Sequence, residues 1–337
     1  MKTLICNSPG HLEYGEINKP GITKHQALLK IKHVGICGTD LHAFEGTQPF
    51  FNYPRILGHE LAAEFIAADG DTDFKSGEIV TIIPYFYCGI CVACHTGKTN
   101  CCVNIKVFGV HMDGGMAEYV SVPSYSLVHG NGLSSESLAL IEPLAIGAHA
   151  VRRCAVKPGE FVLVVGAGPI GLGTIEFARI AGGQVIALDI NDARLSFCKE
   201  KLKVDYAINA STSTVVEQLK EITNGDMPTV VIDATGSLIA INNAFQFMAH
   251  TARYVLVGLQ KGDISFNHPE FHKREATLMS SRNATREDFE LVLKAIANGW
   301  VDPSSYITHR IAFRDVKRDF ASWLNPYNGV IKAMVTM

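Results

Sequence analysis

The chain has 337 residues, of which 47% are hydrophobic and 19% charged, with 30 glycines and 13 prolines. This composition is typical of a compact globular protein and excludes a disordered or fibrous chain, and the length favours two domains. The formal net charge of -3 provides no broad positive field, which excludes nucleic acid and anionic membranes as electrostatic partners.

Short β-rich runs separated by glycine and proline turns occupy the first 147 residues. The pattern predicts a strand at the N-terminus and further strands over 27–34 and 78–84. We therefore expect an irregular, mostly β domain here. The N-terminal residues lack the long apolar core and the small-residue cleavage site of a signal peptide, which favours a cytoplasmic protein.

Apolar strands alternate with helical segments between residues 148 and 281. A helix is predicted over 172–181, and strands are predicted over 161–165, 184–188, 229–234 and 253–258. Such alternation predicts a parallel sheet. The most apolar part, 161–190, contains six glycines and three charged side chains, which argues against a membrane span.

The last segment, 282–337, returns to a mixed pattern. Helices are predicted over 286–298 and 314–323, followed by a final strand over 329–335. We expect this segment to pack back onto the first domain. The predicted domains are therefore 1–147 with 282–337, and 148–281.

A glycine-rich turn, Gly166-Ala-Gly168-Pro-Ile-Gly171, follows the predicted strand 161–165 and leads into a helix. The first glycine permits the tight turn, the second lets the backbone approach a pyrophosphate, and the third lets helix and strand pack closely. Asp189 ends the next strand, where its carboxylate can bind the ribose hydroxyls and repel a 2′-phosphate, so NAD is predicted over NADP. The triplet alone would fit any tight turn. The cofactor candidates are Gly166, Gly168, Pro169, Ile170, Gly171, Asp189 and Arg194.

Five of the nine cysteines lie within positions 88–102. Two tight turns could bring four thiolates around one tetrahedral zinc ion, the four being Cys88, Cys91, Cys94 and either Cys101 or Cys102. A site filled by four sulfurs has no position for water or substrate, so it would stabilise the fold and not react. Disulfides or buried thiols are the alternative, which the absence of a signal peptide disfavours.

A thiolate, an imidazole and a carboxylate occur in two short segments, Gly35-Ile-Cys37-Gly-Thr39-Asp-Leu-His42 and Gly58-His59-Glu60. Mixed ligands of this kind suit zinc with an open coordination position, which is the arrangement of a catalytic site. Cys37, His59 and Glu60 are therefore the candidate ligands of a second metal ion.

These segments, the four-cysteine lobe and the glycine turn resemble, in their order along the chain, the medium-chain zinc alcohol dehydrogenases over essentially the whole length. The resemblance implies an α/β protein with a Rossmann doubly wound parallel sheet domain and a mostly β GroES-like catalytic domain, with the structural zinc lobe at about 84–106. It implies NAD and two zinc ions per chain. Cys37 and His59 would bind the catalytic zinc directly, Glu60 would bind or approach it, and Cys102 would complete the structural site.

Glu142, in Glu142-Pro-Leu, is similar to a glutamate of the polyol and threonine dehydrogenase branch that lies at the metal. Glu142 would thus be a ligand or one water away. The family's proton relay of hydroxyl, cofactor ribose and imidazole implies roles for Thr39 and His42. Zinc would act as a Lewis acid on a substrate hydroxyl that passes hydride to NAD.

The segments 48–55, 109–115, 271–274 and 280–285 are similar to bacterial sugar-acid dehydrogenases that act at C5 of L-galactonate or L-gulonate. Binding the carboxylate of a hexonate would require a cationic side chain, and Arg282 is the first candidate. His111 is a further candidate substrate contact. Arg55, Asp113, Lys273 and Arg274 are alternatives for the same role or ordinary surface charges, and Phe50, Phe51 and Tyr53 could wall a pocket or belong to the core.

Other functions fit parts of this pattern. A polyol or L-threonine dehydrogenase with the same fold and chemistry is the nearest alternative. A catalytically silent relative and a metal-ribbon binding protein are alternatives of another class, which the complete dinucleotide unit and catalytic set oppose. The expected partners are a small polyol or sugar-acid substrate and, by the family resemblance, further copies of the chain in a homodimer or homotetramer.

Overall fold

The computed structural model describes residues 1–49, 51–212 and 214–337. The chain divides into two compact units, Met1–Pro143 with Thr285–Met337, and Leu144–Ala284. Each unit has its own cluster of buried apolar side chains. Within the described residues, every helix is too short or too polar to cross a lipid bilayer.

The strands and helices follow in chain order. The N-terminal stretch contains β1 (Lys2–Ser8), β2 (His11–Glu16), β3 (Gln26–Gly35), α1 (Gly38–Glu45), β4 (Arg55–Ile56), β5 (Glu60–Ala68), β6 (Ile79–Ile82), β7 (Tyr85–Phe86), α2 (Val92–His95), β8 (Lys106–Val107), β9 (Tyr119–Pro123), β10 (Leu127–His129), α3 (Ser135–Ala139) and α4 (Ile141–Cys154). The middle stretch contains β11 (Phe161–Val165), α5 (Pro169–Ile180), β12 (Gln184–Asp189), α6 (Asp192–Glu200), β13 (Tyr206–Asn209), α7 (Val215–Ile222), β14 (Val230–Asp233), α8 (Leu238–Ala244), β15 (Arg253–Leu256), α9 (His268–Lys273) and β16 (Thr277–Ser280). The last stretch contains α10 (Arg286–Ala297), β17 (Ile307–Ala312), α11 (Val316–Asp319) and β18 (Lys332–Thr336). Short 3-10 helices cover Thr99–Cys101, Ser124–Ser126, Phe245–Phe247, Pro303–Tyr306, Phe313–Asp315, Phe320–Leu324 and Pro326–Asn328.

The first unit is built on a seven-stranded sheet of order β10-β6-β5-β3-β18-β17, with β9 also paired to β3. β3 runs antiparallel to β5 with Gly35 opposite Glu60, and β18 runs antiparallel to β3 with Met334 opposite Gly35. The C-terminal strand therefore lies beside the strand that leads into Cys37. A three-stranded sheet β2-β1-β4 and the pair β7-β8 belong to the same unit.

The second unit contains a six-stranded sheet of order β13-β12-β11-β14-β15-β16. Its neighbouring strands are all parallel, which confirms the predicted parallel sheet. β11 and β14 are almost continuously apolar, as expected for strands buried on both faces. The strand order reverses between β11 and β14, which is the point where doubly wound sheets bind nucleotides.

Several predicted elements differ from the structure in their extent, three of them for a physical reason. The predicted strand 78–84 is only β6, which ends at Ile82, because Pro84 has no N–H for a ladder hydrogen bond; β7 begins after this proline. The predicted helix 314–323 is the short α11 between two 3-10 turns. The predicted final strand begins only at Lys332, because Gly329 adopts a left-handed conformation with φ of 63°.

Candidate catalytic metal centre

Cys37, His59 and Glu60 come together in the first unit. One ligand atom from each lies within 4.8 Å of the other two. Cys37 caps the N-terminus of α1 just after β3, while Glu60 opens β5 with His59 before it, so the antiparallel pairing of β3 with β5 brings the three together. His59 and Glu60 are buried. Cys37 is half-buried, and this set of one sulfur, one nitrogen and one oxygen matches the donors of a catalytic zinc site.

Asp40 supports this cluster, and the sequence analysis did not single it out as a functional residue. Its carboxylate accepts hydrogen bonds from the backbone N–H groups of Cys37 (2.9 Å) and Gly58 (3.1 Å), and it lies 3.7 Å from His59 Nδ1. Burial raises the pKa of Asp40, against the opposing charge of His59. Burial disfavours the charged form of His59, yet Cys37 and Asp40 hold its pKa well above the usual value. The signal was available, since Asp40 completes a capping box with Cys37.

Lys332 forms a buried ion pair with Glu60 and was also missed. Its Nζ lies 2.6 Å from Oε1 and 2.7 Å from Oε2 of Glu60, and it donates to the carbonyl oxygen of Ile36 at 3.1 Å. Burial opposes the charged form of Lys332, but Glu60 and Cys37 raise its pKa above the usual value. On the other side of Glu60, a Cβ at Gly35 would fall 2.2 Å from Oε2, so only glycine fits there. A lysine within an apolar C-terminal strand was the available signal.

Glu142 is buried in the first turn of α4 but lies outside the group formed by Cys37, His59 and Glu60, as far as the described residues go. The phenol of Tyr85 donates a hydrogen bond to its Oε1. Burial raises the pKa of Glu142, an effect that His59 opposes and Glu60 reinforces. Glu142 therefore lies within the electrostatic influence of the cluster while its carboxylate engages Tyr85.

Thr39 and His42 lie on α1, one helical turn apart. Thr39 is half-buried and His42 is exposed. The imidazole Nδ1 of His42 lies 3.3 Å from Glu45 Oε2 and 3.2 Å from Thr47 Oγ1. Residues three apart on a helix share a face, so Thr39 and His42 lie on the same side of α1.

The four-cysteine lobe forms a second cluster in the same unit. One sulfur from each of Cys88, Cys91, Cys94 and Cys102 lies within 4.8 Å of the others, whereas Cys101 is exposed and outside the set. The Sγ atoms of Cys91 and Cys94 are 3.4 Å apart, and those of Cys88 and Cys102 are 3.5 Å apart. All nine cysteines are free thiols. Four converging sulfurs without a disulfide match a closed structural zinc site.

The glycine turn of the second unit has the backbone features of a dinucleotide site. Gly166 follows β11 with φ of 96°, Gly168 caps α5, and Pro169 and Ile170 form the first turn of that helix. A Cβ at Gly171 would fall 1.8 Å from the carbonyl oxygen of Gly166, so the third glycine is required by packing. The exposed N–H groups at a helix N-terminus attract phosphate.

The carboxylate of Asp189, at the end of β12, is held by two backbone donors. It accepts hydrogen bonds from Ala167 N–H at 2.6 Å and Asn191 N–H at 2.9 Å. The guanidinium of Arg194 lies beside the same turn, where a Cβ at Gly168 would be 3.4 Å from its Nη1. The acidic and the basic cofactor candidates thus both border the glycine turn.

The candidate substrate residues are divided between the two units. His111 Nδ1 accepts a hydrogen bond from the backbone N–H of Val107 at 2.9 Å, which holds its imidazole on the turn after β8. Arg282 is exposed just after β16 and belongs to the second unit. Arg55 and Asp113 pair with each other at 3.4 Å. Phe50 lies outside the described residues.

Known proteins match the whole chain. The model of the alcohol dehydrogenase GroES-like domain matches residues 23–131, and that of the zinc-binding dehydrogenase matches residues 169–298. The chain is 44% identical to L-galactonate-5-dehydrogenase of Escherichia coli, with 100% of this chain and 99% of that protein covered. It is 33% identical to a sorbitol dehydrogenase of Halalkalibacterium halodurans, with 92% of each covered. The solved structure of the rspB alcohol dehydrogenase of Escherichia coli with NADH is 30% identical, with a TM-score of 0.94 and coverage of 100% and 99%.

These matches account for both units. The GroES-like match lies in the β-rich first unit, and most of the zinc-binding dehydrogenase match lies in the unit with the parallel sheet. The expected α/β fold, with a Rossmann sheet domain and a GroES-like domain, is confirmed. The chain belongs to the zinc-type medium-chain alcohol dehydrogenase family and is an oxidoreductase that acts on CH–OH donors, with zinc and NAD as cofactors.

Proposed function

We propose that this dehydrogenase oxidises the C5 hydroxyl of a hexonate, such as L-galactonate or L-gulonate, to a ketone with NAD. The observation that carries the proposal is the 44% identity to L-galactonate-5-dehydrogenase over the full length of both chains. The cluster of the half-buried Cys37 with the buried His59 and Glu60 supports it separately, because it offers the donor set of a catalytic zinc site.

The residues divide between two metal sites. Cys37, His59 and Glu60 would hold the catalytic zinc, with Glu142 beside them as a hydrogen-bond acceptor. The structural zinc would be held by Cys88, Cys91, Cys94 and Cys102. When bound, the catalytic metal supplies Lewis acidity at the substrate hydroxyl and the nicotinamide supplies the hydride acceptor.

The chain itself would remove the hydroxyl proton. The half-buried Thr39 would accept this proton while its own hydroxyl proton passes through the cofactor ribose to the exposed His42, which would deliver a proton to water. Glu45 Oε2, 3.3 Å from His42 Nδ1, would stabilise the imidazolium that forms when the proton arrives. Burial of Glu60 and His59 would keep bulk water away from the reacting carbon.

Cofactor and substrate recognition complete the proposal. The glycine turn would receive the pyrophosphate, and Asp189 would bind the ribose hydroxyls, since a carboxylate that accepts two N–H groups still has unused lone pairs. Arg194 would contact the cofactor at the same turn. Arg282 would hold the hexonate carboxylate, with His111 as a second contact. We also propose a homodimer or homotetramer, which sedimentation analysis would distinguish.

The test is a comparison of kcat/KM for L-galactonate, L-gulonate, sorbitol and L-threonine, with NAD and with NADP, on zinc-loaded enzyme. We expect the hexonates and NAD to be preferred. The similarity to a sorbitol dehydrogenase supports a neutral polyol as the second candidate, and preference for sorbitol would overturn the sugar-acid assignment. Arg282→Leu should raise KM for a hexonate by about tenfold or more and leave KM for sorbitol unchanged, because it removes a charged hydrogen bond to the carboxylate.

A further inference from the structure

The proposed mechanism leaves the buried phenol of Tyr85 without a role. Tyr85 is 4% exposed and donates a hydrogen bond to Oε1 of Glu142, which is itself 5% exposed. A buried carboxylate that lacks a donor is costly, so the position of Glu142 depends on the donors around it. The Tyr85 hydroxyl is such a donor, and its loss would leave Oε1 of Glu142 able to bind another group.

Glu142 is also subject to the charges of two candidate zinc ligands. The charges of His59 and Glu60 both act on Glu142, although its carboxylate does not belong to the set in which Cys37, His59 and Glu60 lie within 4.8 Å of one another. A fourth protein ligand would turn an open zinc site into a closed one, and closed sites are structural. The direction in which Glu142 is held therefore decides whether the site can accept substrate.

Tyr85 is itself held by the hairpin that carries the four-cysteine lobe. It lies on β7, where it pairs with Val107 of β8, and the neighbouring rings of Phe86 and Phe108 are 5.9 Å apart. The lobe 88–102 is the connection between these two strands. The lobe therefore fixes the hairpin, and the hairpin fixes the phenol that engages Glu142.

We propose that Tyr85 is a positioning residue that holds Glu142 beside the catalytic zinc as a hydrogen-bond acceptor and keeps it from becoming a fourth protein ligand. This inference rests on the proposed function, because it takes Cys37, His59 and Glu60 as the zinc ligands. It also gives the four-cysteine lobe a second role, since the lobe connects β7 and β8, the two strands of the hairpin that positions Tyr85.

The experiment replaces the catalytic zinc by cobalt and records the visible absorption of Tyr85→Phe, which removes only the hydroxyl. We expect the cobalt bands to change as Glu142 enters the coordination sphere, and kcat to fall about 10- to 100-fold. The matched control is Tyr254→Phe, which removes the hydroxyl of a fully buried tyrosine that donates to Ile241 O at 3.0 Å in the second unit. This control should leave the bands as in the wild type. Tyr85→Phe bands identical to the wild type would overturn the inference.

Two further variants remove the dependence on a single substitution. Glu142→Gln, with Tyr85 retained, should show the same cobalt bands as the wild type, because Glu142 is not a ligand when Tyr85 holds it. A changed spectrum in Glu142→Gln would overturn the inference even if Tyr85→Phe failed to fold. In Tyr85→Phe/Glu142→Gln, the spectral effect of losing the hydroxyl should vanish. If cobalt did not bind to the wild type, or if Cys37→Ser still bound a cobalt ion in addition to any held by the four-cysteine lobe, the ligand assignment would fail instead.

Discussion

Glu60 owes its position to residues that are far from it in sequence. Lys332 is 272 positions away and reaches both carboxylate oxygens, while Gly35 leaves the space that the carboxylate occupies. A lysine and a glutamate buried together are stable only as a pair, because each charge alone would lack compensation. Lys332 thus positions the candidate ligand Glu60 by an ion pair, and Tyr85 positions Glu142 by a hydrogen bond.

Removal of Lys332 tests this dependence. Lys332→Met should lower the free energy of unfolding by about 3–5 kcal/mol, because it leaves the Glu60 charge buried and unpaired. The measurement is urea denaturation after removal of the catalytic zinc, so that no metal charge compensates Glu60. The control is Lys32→Met, which breaks the partly exposed Lys32–Glu64 pair at 3.3 Å and should cost about 1 kcal/mol or less. Equal losses in the two variants would contradict the buried-pair account.

Asp189 carries the predicted preference for NAD. Asp189→Ala should lower the NAD:NADP ratio of kcat/KM by about tenfold or more, because it removes a charged hydrogen-bond acceptor and the repulsion of a 2′-phosphate. Asp192→Ala is the control. Asp192 lies at the start of α6, the helix after β12, and its carboxylate accepts a hydrogen bond from Asn209 Nδ2 at 2.7 Å. An unchanged ratio in Asp189→Ala would rule out this role for the residue.

The residues that sequence analysis identified as site candidates are those with a short-range signal. The cysteine spacing, Gly58-His59-Glu60 and the glycine turn each lie within a few positions, and the type of each residue limits its chemistry. Tyr85 could not be found in this way, because it meets Glu142 only when β7 reaches its place. The apolar strand around Lys332 was a signal of its burial but did not indicate Glu60 as its partner. Asp40 was within reach, since its capping partner is three positions away.

The four-cysteine lobe contains little regular structure, only α2 and one 3-10 turn. Its four candidate ligand sulfurs lie within 4.8 Å of one another, and the paired strands β7 and β8 adjoin its two ends. Cys91→Ser should remove the structural zinc and destabilise the first unit by several kcal/mol. Cys37→Ser should instead remove the catalytic zinc and abolish turnover while Tm changes little. Zinc analysis and thermal unfolding check both, with the exposed Cys101→Ser as control. Loss of both metals together in either variant would contradict two separate sites.

We expect His129, at the end of β10, to make the stability of the first unit depend on pH. Its ring nitrogens lie 2.6 Å from Glu78 Oε1 and 3.1 Å from Asp73 Oδ2. The hydrogen bond to Glu78 raises the pKa of His129, burial opposes this rise, and the hydrogen bond to Asp73 adds to it. The charged ring therefore stabilises the folded state fully below the unfolded-state pKa of about 6.5, and this stability is lost as pH rises through the raised folded-state pKa.

We therefore expect wild type and His129→Gln to differ most in unfolding free energy at mildly acid pH and to converge above the raised pKa. The difference should be about 1 kcal/mol or less, because the pair is partly exposed. Urea denaturation across this pH range measures it, with exposed His11→Gln as control. A difference that grew as pH rose would contradict the assigned pairing.

The elements that could be predicted are those that local sequence determines. β11 was predicted with its correct bounds, because an apolar run that ends at a glycine turn has few other conformations. The two-residue strands β4, β7 and β8 were not predicted individually, since each exists only through its pairing with a distant strand. The helical spacing in 314–323 did not show where 3-10 hydrogen bonds would replace α-helical ones.

Taken whole, the chain combines two units that differ in sequence pattern. The second unit alternates strand and helix, so its parallel sheet could be predicted from periodicity. The first unit collects strands from both ends of the chain, and its sheet order could not be predicted because β18 pairs with β3 across nearly the whole length. The candidate metal centre lies where these distant segments meet. Its candidate ligands Cys37, His59 and Glu60 come from two short motifs, whereas Lys332, which pairs with Glu60, comes from the other end of the chain.

The most direct test of the proposed function follows a deuterium label. L-galactonate deuterated at C5 is incubated with NAD and zinc-loaded enzyme, and the products are analysed by NMR and mass spectrometry. The proposal predicts that the deuterium appears on the reduced nicotinamide and that the sugar acid carries a ketone at C5. Turnover that leaves the label on the sugar acid, or the absence of turnover with active metal-loaded protein, would contradict it.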